Sequence, residues 1–308
     1  MRKTKWNAFL LGVFTLLSLQ ASGQQDEQLT LYNYNPLYYN PAYAGSRDAL
    51  SFVALGRFQW VNFEGAPNTQ WFSVHAPIVG NALGMGAHFV NDKIGARNRT
   101  SAYYDVSSSI RLNQDNARLA FGLSAGVDML SMNFSNLTVH DATDPYYGQN
   151  MSTNRFNMGA GVYYYSERTY IGASMPRVLE VKNTNVQNLF HTLNQRHLFL
   201  SAGHVFTLNS VLKLKPTTLI KFTPNAPVTV DANLNLLLYN RLWIGVLYRY
   251  QEAIGVNAVF RIRDFMQVGY SYDFPVNGLS SYQAGSHELL LQFDVKFKNS
   301  IYTSPRYF

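Results

Sequence analysis

Near the end of the chain runs His287-Glu288-Leu289-Leu290-Leu291-Gln292-Phe293-Asp294-Val295-Lys296-Phe297-Lys298. Every odd position from Leu289 to Phe297 is apolar, while Gln292, Asp294, Lys296 and Lys298 hold even ones. Successive side chains of a strand point to opposite faces, so this segment presents one oily wall and one wet wall. A strand of a β-sandwich reads the same in isolation. The rest of the chain decides between them, because nearly every upstream segment repeats the alternation with charge on the wet face. A sheet of that kind closes on itself, with lipid outside and water inside. The expected fold class is all-β: a transmembrane antiparallel up-and-down barrel of about 14 strands, with this stretch as its closing strand.

The predicted strands, in order, are 49–60, 69–79, 82–91, 100–112, 118–132, 154–165, 169–176, 196–208, 211–223, 228–239, 241–250, 253–263, 265–274 and 286–298. In 118–132, Leu119, Phe121, Leu123, Ala125, Val127 and Met129 alternate with Gly122, Ser124, Gly126 and Asp128. In 228–239, Asp231, Asn233 and Asn235 lie opposite Val230, Ala232, Leu234, Leu236 and Leu238. The connections sort into two kinds. Gly80-Asn81, 113–116, 166–168, Asn209-Ser210, Asn240 and Asp264 are tight, whereas 61–68, 92–99, 133–153, 177–195 and 275–285 are long. Outer-membrane barrels have short periplasmic turns and longer outside loops, which places both termini in the periplasm. Trp60, Trp71, Tyr239, Trp243, Tyr270 and Tyr272 lie near strand ends, where interface belts are expected.

Composition agrees. Charged residues are sparse at 14%, aromatics reach 15%, and there are 21 Tyr. A soluble domain carries about a quarter charged residues, so much of this surface faces something other than water. Beyond the N-terminus no apolar run approaches the roughly 18 residues of a membrane helix. Cysteine is absent, which removes disulfides and thiol chemistry. The net charge of +7 is not gathered into a basic stripe, so no nucleic-acid partner is expected. Residues 1–23 read as a secretory signal: Arg2, Lys3 and Lys5, then an apolar run over 8–19, then Ala21-Ser22-Gly23. The mature chain divides into a segment at 24–48, the barrel at 49–298 and a periplasmic tail at 299–308.

The segment 24–48 carries Tyr32, Tyr34, Tyr38, Tyr39 and Tyr43, too dense a set for a solvated linker. Pro36 and Pro41, each after Asn, argue against both a helix and a central strand. It reads as an irregular ordered piece in the barrel mouth or lumen; the alternative is a periplasmic tail. Within it, Asn40-Pro41-Ala42-Tyr43-Ala44-Gly45-Ser46 resembles the signature of the PorP/SprF family, outer-membrane proteins of type IX secretion and gliding motility. The likeness continues through Gln59-Trp60, 65–70, 90–95, Ser271-Tyr272-Asp273-Phe274, 285–288 and 304–308. The resemblance implies a non-enzymatic component that docks secreted cargo or an adhesin. It also implies links to peptidoglycan-associated or motor components in the periplasm.

Read for chemistry, the chain offers little. Its 7 His lack metal-ligand spacing, and no metal or cofactor is expected. Ser73 and His75 share a strand face without an orienting carboxylate nearby in sequence, so no catalytic residues are assigned. Gly84, Gly86, Gly159 and Gly161 fall inside strands, where they relieve crowding or bend the wall. The candidate lumen charges are Lys213, Lys215, Lys221, Arg249, Arg261, Arg263, Asp128, Asp231, Asp273 and Asp294. They serve an anion-preferring lumen, anchor a plug, or merely line a wet wall. A diffusion porin and an outer-membrane hydrolase are the alternatives to the secretion component.

Overall fold

The computed structural model describes residues 27–80, 82–112, 117–133, 150–179, 196–224, 226–296 and 307. Among the described residues fifteen strands form one sheet: β1 (Ala49–Phe58), β2 (Asn68–Val79), β3 (Leu83–Ile94), β4 (Arg97–Arg111), β5 (Arg118–Met132), β6 (Met151–Tyr165), β7 (Thr169–Met175), β8 (Leu198–His204), β9 (Phe206–Thr207), β10 (Leu212–Phe222), β11 (Thr229–Leu238), β12 (Leu242–Arg249), β13 (Ala253–Arg263), β14 (Met266–Pro275) and β15 (Ser286–Lys296). Strands β8 and β9 both pair with β10 and flank Val205, so together they fill one position of a closed 14-strand barrel. Closure comes from β1 pairing antiparallel with β15, from Ala49↔Lys296 to Phe58↔His287.

Side-chain alternation sets the two faces. On β4, Ala102, Tyr104, Val106 and Ile110 are exposed outward, with Ser108 the hydroxyl among them, while Ser101, Asp105 and Ser107 are buried inward. At about 3.3 Å per residue and a tilt near 40°, that outward band stands about 20–25 Å tall, the height of a bilayer's apolar layer. Above it the outward positions turn polar: Gln70, Asn91, Asn98 and Thr100, with Asn91 donating to Asn98 at 3.0 Å and Thr100 at 2.9 Å.

Two expectations about the wall are corrected, and two about the N-terminal segment: its start lies at the long-loop end, and Pro36 and Pro41, read as arguing against a helix, each open a short helical turn, where a missing N–H costs nothing. The connection at 92–99 is not long; β3 and β4 run on to Ile94 and Arg97, leaving Gly95 and Ala96 as the turn, with Gly95 at φ 55°. Trp71 and Trp243 are not belt residues. They fall on the inward parity of β2 and β12, 2% and 4% exposed, against the segment inside the barrel. Tyr239 and Tyr270 do stand exposed on the outside. The predicted leader, the turn at 113–116 and most of the loops 133–153 and 177–195 lie outside the described residues.

Residues 27–48 fill the lumen. Short helical turns, Tyr32–Tyr34, Pro36–Tyr39 and Pro41–Tyr43, are each almost wholly buried. Glu27, the first described residue, pairs with Arg99 beside the Gly95-Ala96 turn, and Gln28 donates to Glu252 in the β12–β13 turn. Both contacts are at the long-loop end, the opposite end from the one expected for the N-terminal side of the chain. From there the segment crosses the lumen and reaches the short-turn end, where Arg47 pairs with Asp294 at 2.7 Å just before β1 begins.

Candidate functional site

The plug is held by two unlike surfaces. Toward the long loops, charge does the work. Glu288 on β15 accepts the backbone N–H of Thr30 at 2.6 Å and of Leu31 at 2.8 Å, one on each carboxylate oxygen. Arg57 on β1 bridges Glu288 at 2.6 Å and Asp273 on β14 at 2.8 Å. The Thr30 hydroxyl donates to Asp273 at 2.7 Å. Arg249 on β12 joins Asp231 at 3.0 Å and Asp273 at 3.4 Å, and donates to the Leu29 carbonyl at 3.3 Å. Lys221 closes the network on Asp231 at 3.0 Å. All of these side chains are buried, so each charge depends on its partners rather than on water.

Toward the short turns the turn Pro41–Tyr43 and the residues after it sit in a mainly steric seat, with one ion pair, Arg47 with Asp294, beyond it. Asn40 caps the turn Pro41–Tyr43, its Oδ1 accepting the Ala42 N–H at 2.9 Å, while its Nδ2 donates to the Val162 carbonyl at 3.0 Å. The backbone then lies against glycines of the wall. A Cβ at Gly84 would strike the backbone of Ala44 and Gly45, one at Gly122 the backbone of Pro41 and Ala42, and one at Gly161 the Asn40 side chain. Gly45 itself sits at φ 69°, where a side chain is strained, and its N–H donates to His75 Nδ1 at 3.1 Å. The Ser107 hydroxyl donates to the Ala44 carbonyl. Tyr43 packs edge-on against His75 and Tyr163, with centroids 5.1 and 5.6 Å away.

Between the two lies an apolar core in which Leu29, Leu31, Tyr32, Tyr34, Tyr38 and Tyr39 of the plug meet Val53, Leu55, Trp71, Val259 and Leu290 of the wall. The inner face is therefore not uniformly wet. Burial raises the phenol pKa values of Tyr32, Tyr34 and Tyr39, keeping them neutral. For Arg47, burial opposes the charge, but Asp294 more than offsets it and its pKa lies above the ordinary range.

Of the candidate lumen charges, Lys221, Arg249, Asp231 and Asp273 come together in the ionic network. Asp128 lies apart, accepting from Tyr103 at 2.7 Å and near Arg177 at 3.7 Å. Asp294 holds Arg47, and Lys215 and Lys213 line the short-turn end. Arg261 is half-buried and donates to the Asn240 carbonyl at 3.4 Å. Arg263 is exposed beyond a register shift in β13 and joins none of these groups. Ser73 and His75 do not form a catalytic pair: Ser73 donates to Asn35 at 2.8 Å and His75 accepts from Gly45, so both hold the plug. Among the described residues no cluster fit for a metal occurs.

The sequence reading missed Arg57 and Glu288 as lumen charges. Parity alone identifies Arg57, since it alternates with outward Phe52, Ala54 and Phe58. Gly84 and Gly161 relieve crowding as expected, but that the crowding comes from the plug, and that Gly122 shares the task, was missed. Their signal is the run of small inward residues, Gly122-x-Ser124-x-Gly126 and Gly84-x-Gly86, which clears space on one face only.

A family model described as type IX secretion system membrane protein PorP/SprF matches residues 21–293. No curated protein matches the chain. Among solved structures it is similar to the TodX deltaS2S3 mutant monoaromatic hydrocarbon channel, at 11% identity and TM-score 0.49, over 85% of this chain and 94% of that one. It is also similar to the Acinetobacter baumannii outer membrane protein Omp33, at 8% identity and TM-score 0.46, over 80% and 98%. The KdgM porin follows at 9% identity and TM-score 0.38, over 79% and 98%.

Proposed function

The chain belongs to the PorP/SprF family of type IX secretion system membrane proteins, and from that premise we propose that it is a non-enzymatic docking barrel of the outer membrane. Its short turns face the periplasm and meet peptidoglycan-associated or motor components. Its long-loop end meets secreted cargo or an adhesin. The observation that carries this reading is the filled lumen: a barrel whose interior is packed by its own residues 27–48 offers surfaces rather than a passage.

Deletion followed by comparison of surface and secreted proteins tests the proposal. Loss of one or a few exported proteins marks a cargo-dedicated barrel, and loss of all marks a core component. Unchanged export contradicts the proposal. The porin alternative is separated by planar-bilayer recording of the purified barrel, for which no stable conductance steps are expected; steady steps favour the porin.

A further inference from the structure

Three cations meet at the short-turn mouth of the lumen, around the turn between β11 and β12. Lys213 on β10 donates to Asn240 Oδ1 at 2.7 Å, and Arg261 on β13 donates to the Asn240 carbonyl at 3.4 Å. Arg241 follows Asn240 in the chain, is exposed, and its carbonyl accepts the Arg261 N–H at 2.8 Å. The two arginines are therefore cross-strand neighbours of like charge, which repel. Lys213 also donates to the Tyr307 hydroxyl at 2.6 Å. All of these acceptors are neutral, so they orient the cationic groups without cancelling their charge. Among the described residues no carboxylate pairs with Lys213, Arg241 or Arg261: Asp294, at the same end, holds Arg47, and Asp264 in the next turn joins no ion pair. One inward position deeper, Lys215 is wholly buried against the Trp243 ring, also without a carboxylate. The turn itself is specialised. Tyr239 and Asn240 both lie at positive φ, 52° and 54°, and the Arg241 N–H closes on the Leu238 carbonyl at 2.9 Å. Tyr239 bears backbone strain there that a glycine or asparagine would avoid, and the turn fixes Asn240 between Lys213 and Arg261.

We propose that this cluster is a site for an oxyanion of the phosphate class, either free or as the headgroup of a phospholipid in the neighbouring leaflet. A phosphate carries up to about two negative charges and several acceptor oxygens. That matches planar guanidinium forks and an ammonium gathered around one residue, and its binding relieves the repulsion between Arg241 and Arg261. The site stands on the geometry of the mouth, apart from the secretion reading.

The test uses the full mature chain, in zwitterionic detergent and in nanodiscs, and follows the temperature of heat-modified mobility. A ligand that binds only the folded barrel raises that temperature. In detergent, inorganic phosphate should raise it above chloride of equal ionic strength; in nanodiscs, phosphatidylglycerol should raise it above phosphatidylcholine. A response to phosphate in detergent marks the free anion as ligand, and a response to phosphatidylglycerol alone marks the headgroup. No response to either overturns the proposal. Lys213→Gln and Arg241→Gln should each require about ten times more anion for the same rise, the ratio that one charge-assisted hydrogen bond is worth. Arg241 occupies an exposed turn position, so its variant reads binding even where Lys213→Gln folds poorly. Arg168→Gln, in the β6–β7 turn, should respond as the parent chain does. If Arg241→Gln also responds like the parent, the site is overturned even though phosphate stabilises the barrel.

Discussion

The two ends of the plug are fastened by different balances of charge and shape, and the contrast shows how a chain of irregular turns is held to one position inside a wide barrel. At the long-loop end the wall grips backbone N–H groups and a hydroxyl through buried charge: Glu288 on Thr30 and Leu31, Asp273 on Thr30. At the short-turn end it grips mainly by shape, with Gly84, Gly122 and Gly161 giving way to the backbone and to the Asn40 side chain, and charge is confined to the Arg47–Asp294 pair just before β1. A charged site resists loss of one partner because the other is stranded without water. A steric site resists gain of atoms because nothing can yield.

That difference can be broken in order of expected effect. Arg57→Ala removes the cation between Glu288 and Asp273 and leaves two buried carboxylates short of their counter-charge. The expected cost is about 3–5 kcal/mol, read as a lower temperature of heat-modified mobility on electrophoresis. Arg57→Lys restores charge but not the fork, and should recover only part of it.

Gly122→Ala adds one methyl where the backbone of Pro41 and Ala42 lies. Overpacking of this kind costs about 1–3 kcal/mol, and the signature turn should become cleavable by added protease while the barrel keeps its mobility. Gly56→Ala is the control: a Cβ there meets only the Phe58 ring, at 3.9 Å, and its backbone is in the ordinary region. If both variants behave alike, the seat is not steric.

Asn40→Ala loses a cap and the bond to Val162, and about 1–2 kcal/mol is expected by the same thermal assay. Asn40→Asp keeps the cap acceptor but not the donor, and should fall between. An asparagine that proves replaceable at no cost would confine the lower seat to the glycines.

The wall was legible because alternation is a local property, and the parity of Asp231, Asn233 and Asn235 or of Gly122, Ser124 and Asp128 survives any error in strand ends. The plug was legible only as an aromatic, proline-broken segment. Its direction through the lumen depends on contacts such as Gln28 with Glu252, 224 residues apart, which no periodicity encodes. Trp71 and Trp243 were misplaced for a related reason. Lumen-facing aromatics are rare in a water-filled barrel, and only the buried plug makes an inward Trp favourable. The extent of β3 and β4 beyond Asn91 and before Thr100 was missed because Asp92, Lys93, Asn98 and Arg99 look like loop residues, though they pair across a two-residue turn above the apolar band.

Residue-resolved amide exchange of the native barrel tests most directly whether residues 27–48 are built into the lumen. The N–H groups of Thr30 and Leu31, bonded to Glu288, and of Ala42, bonded to Asn40, should exchange as slowly as the wall amides of β1. Exchange of those three at the rate of an open, solvated chain would contradict the account.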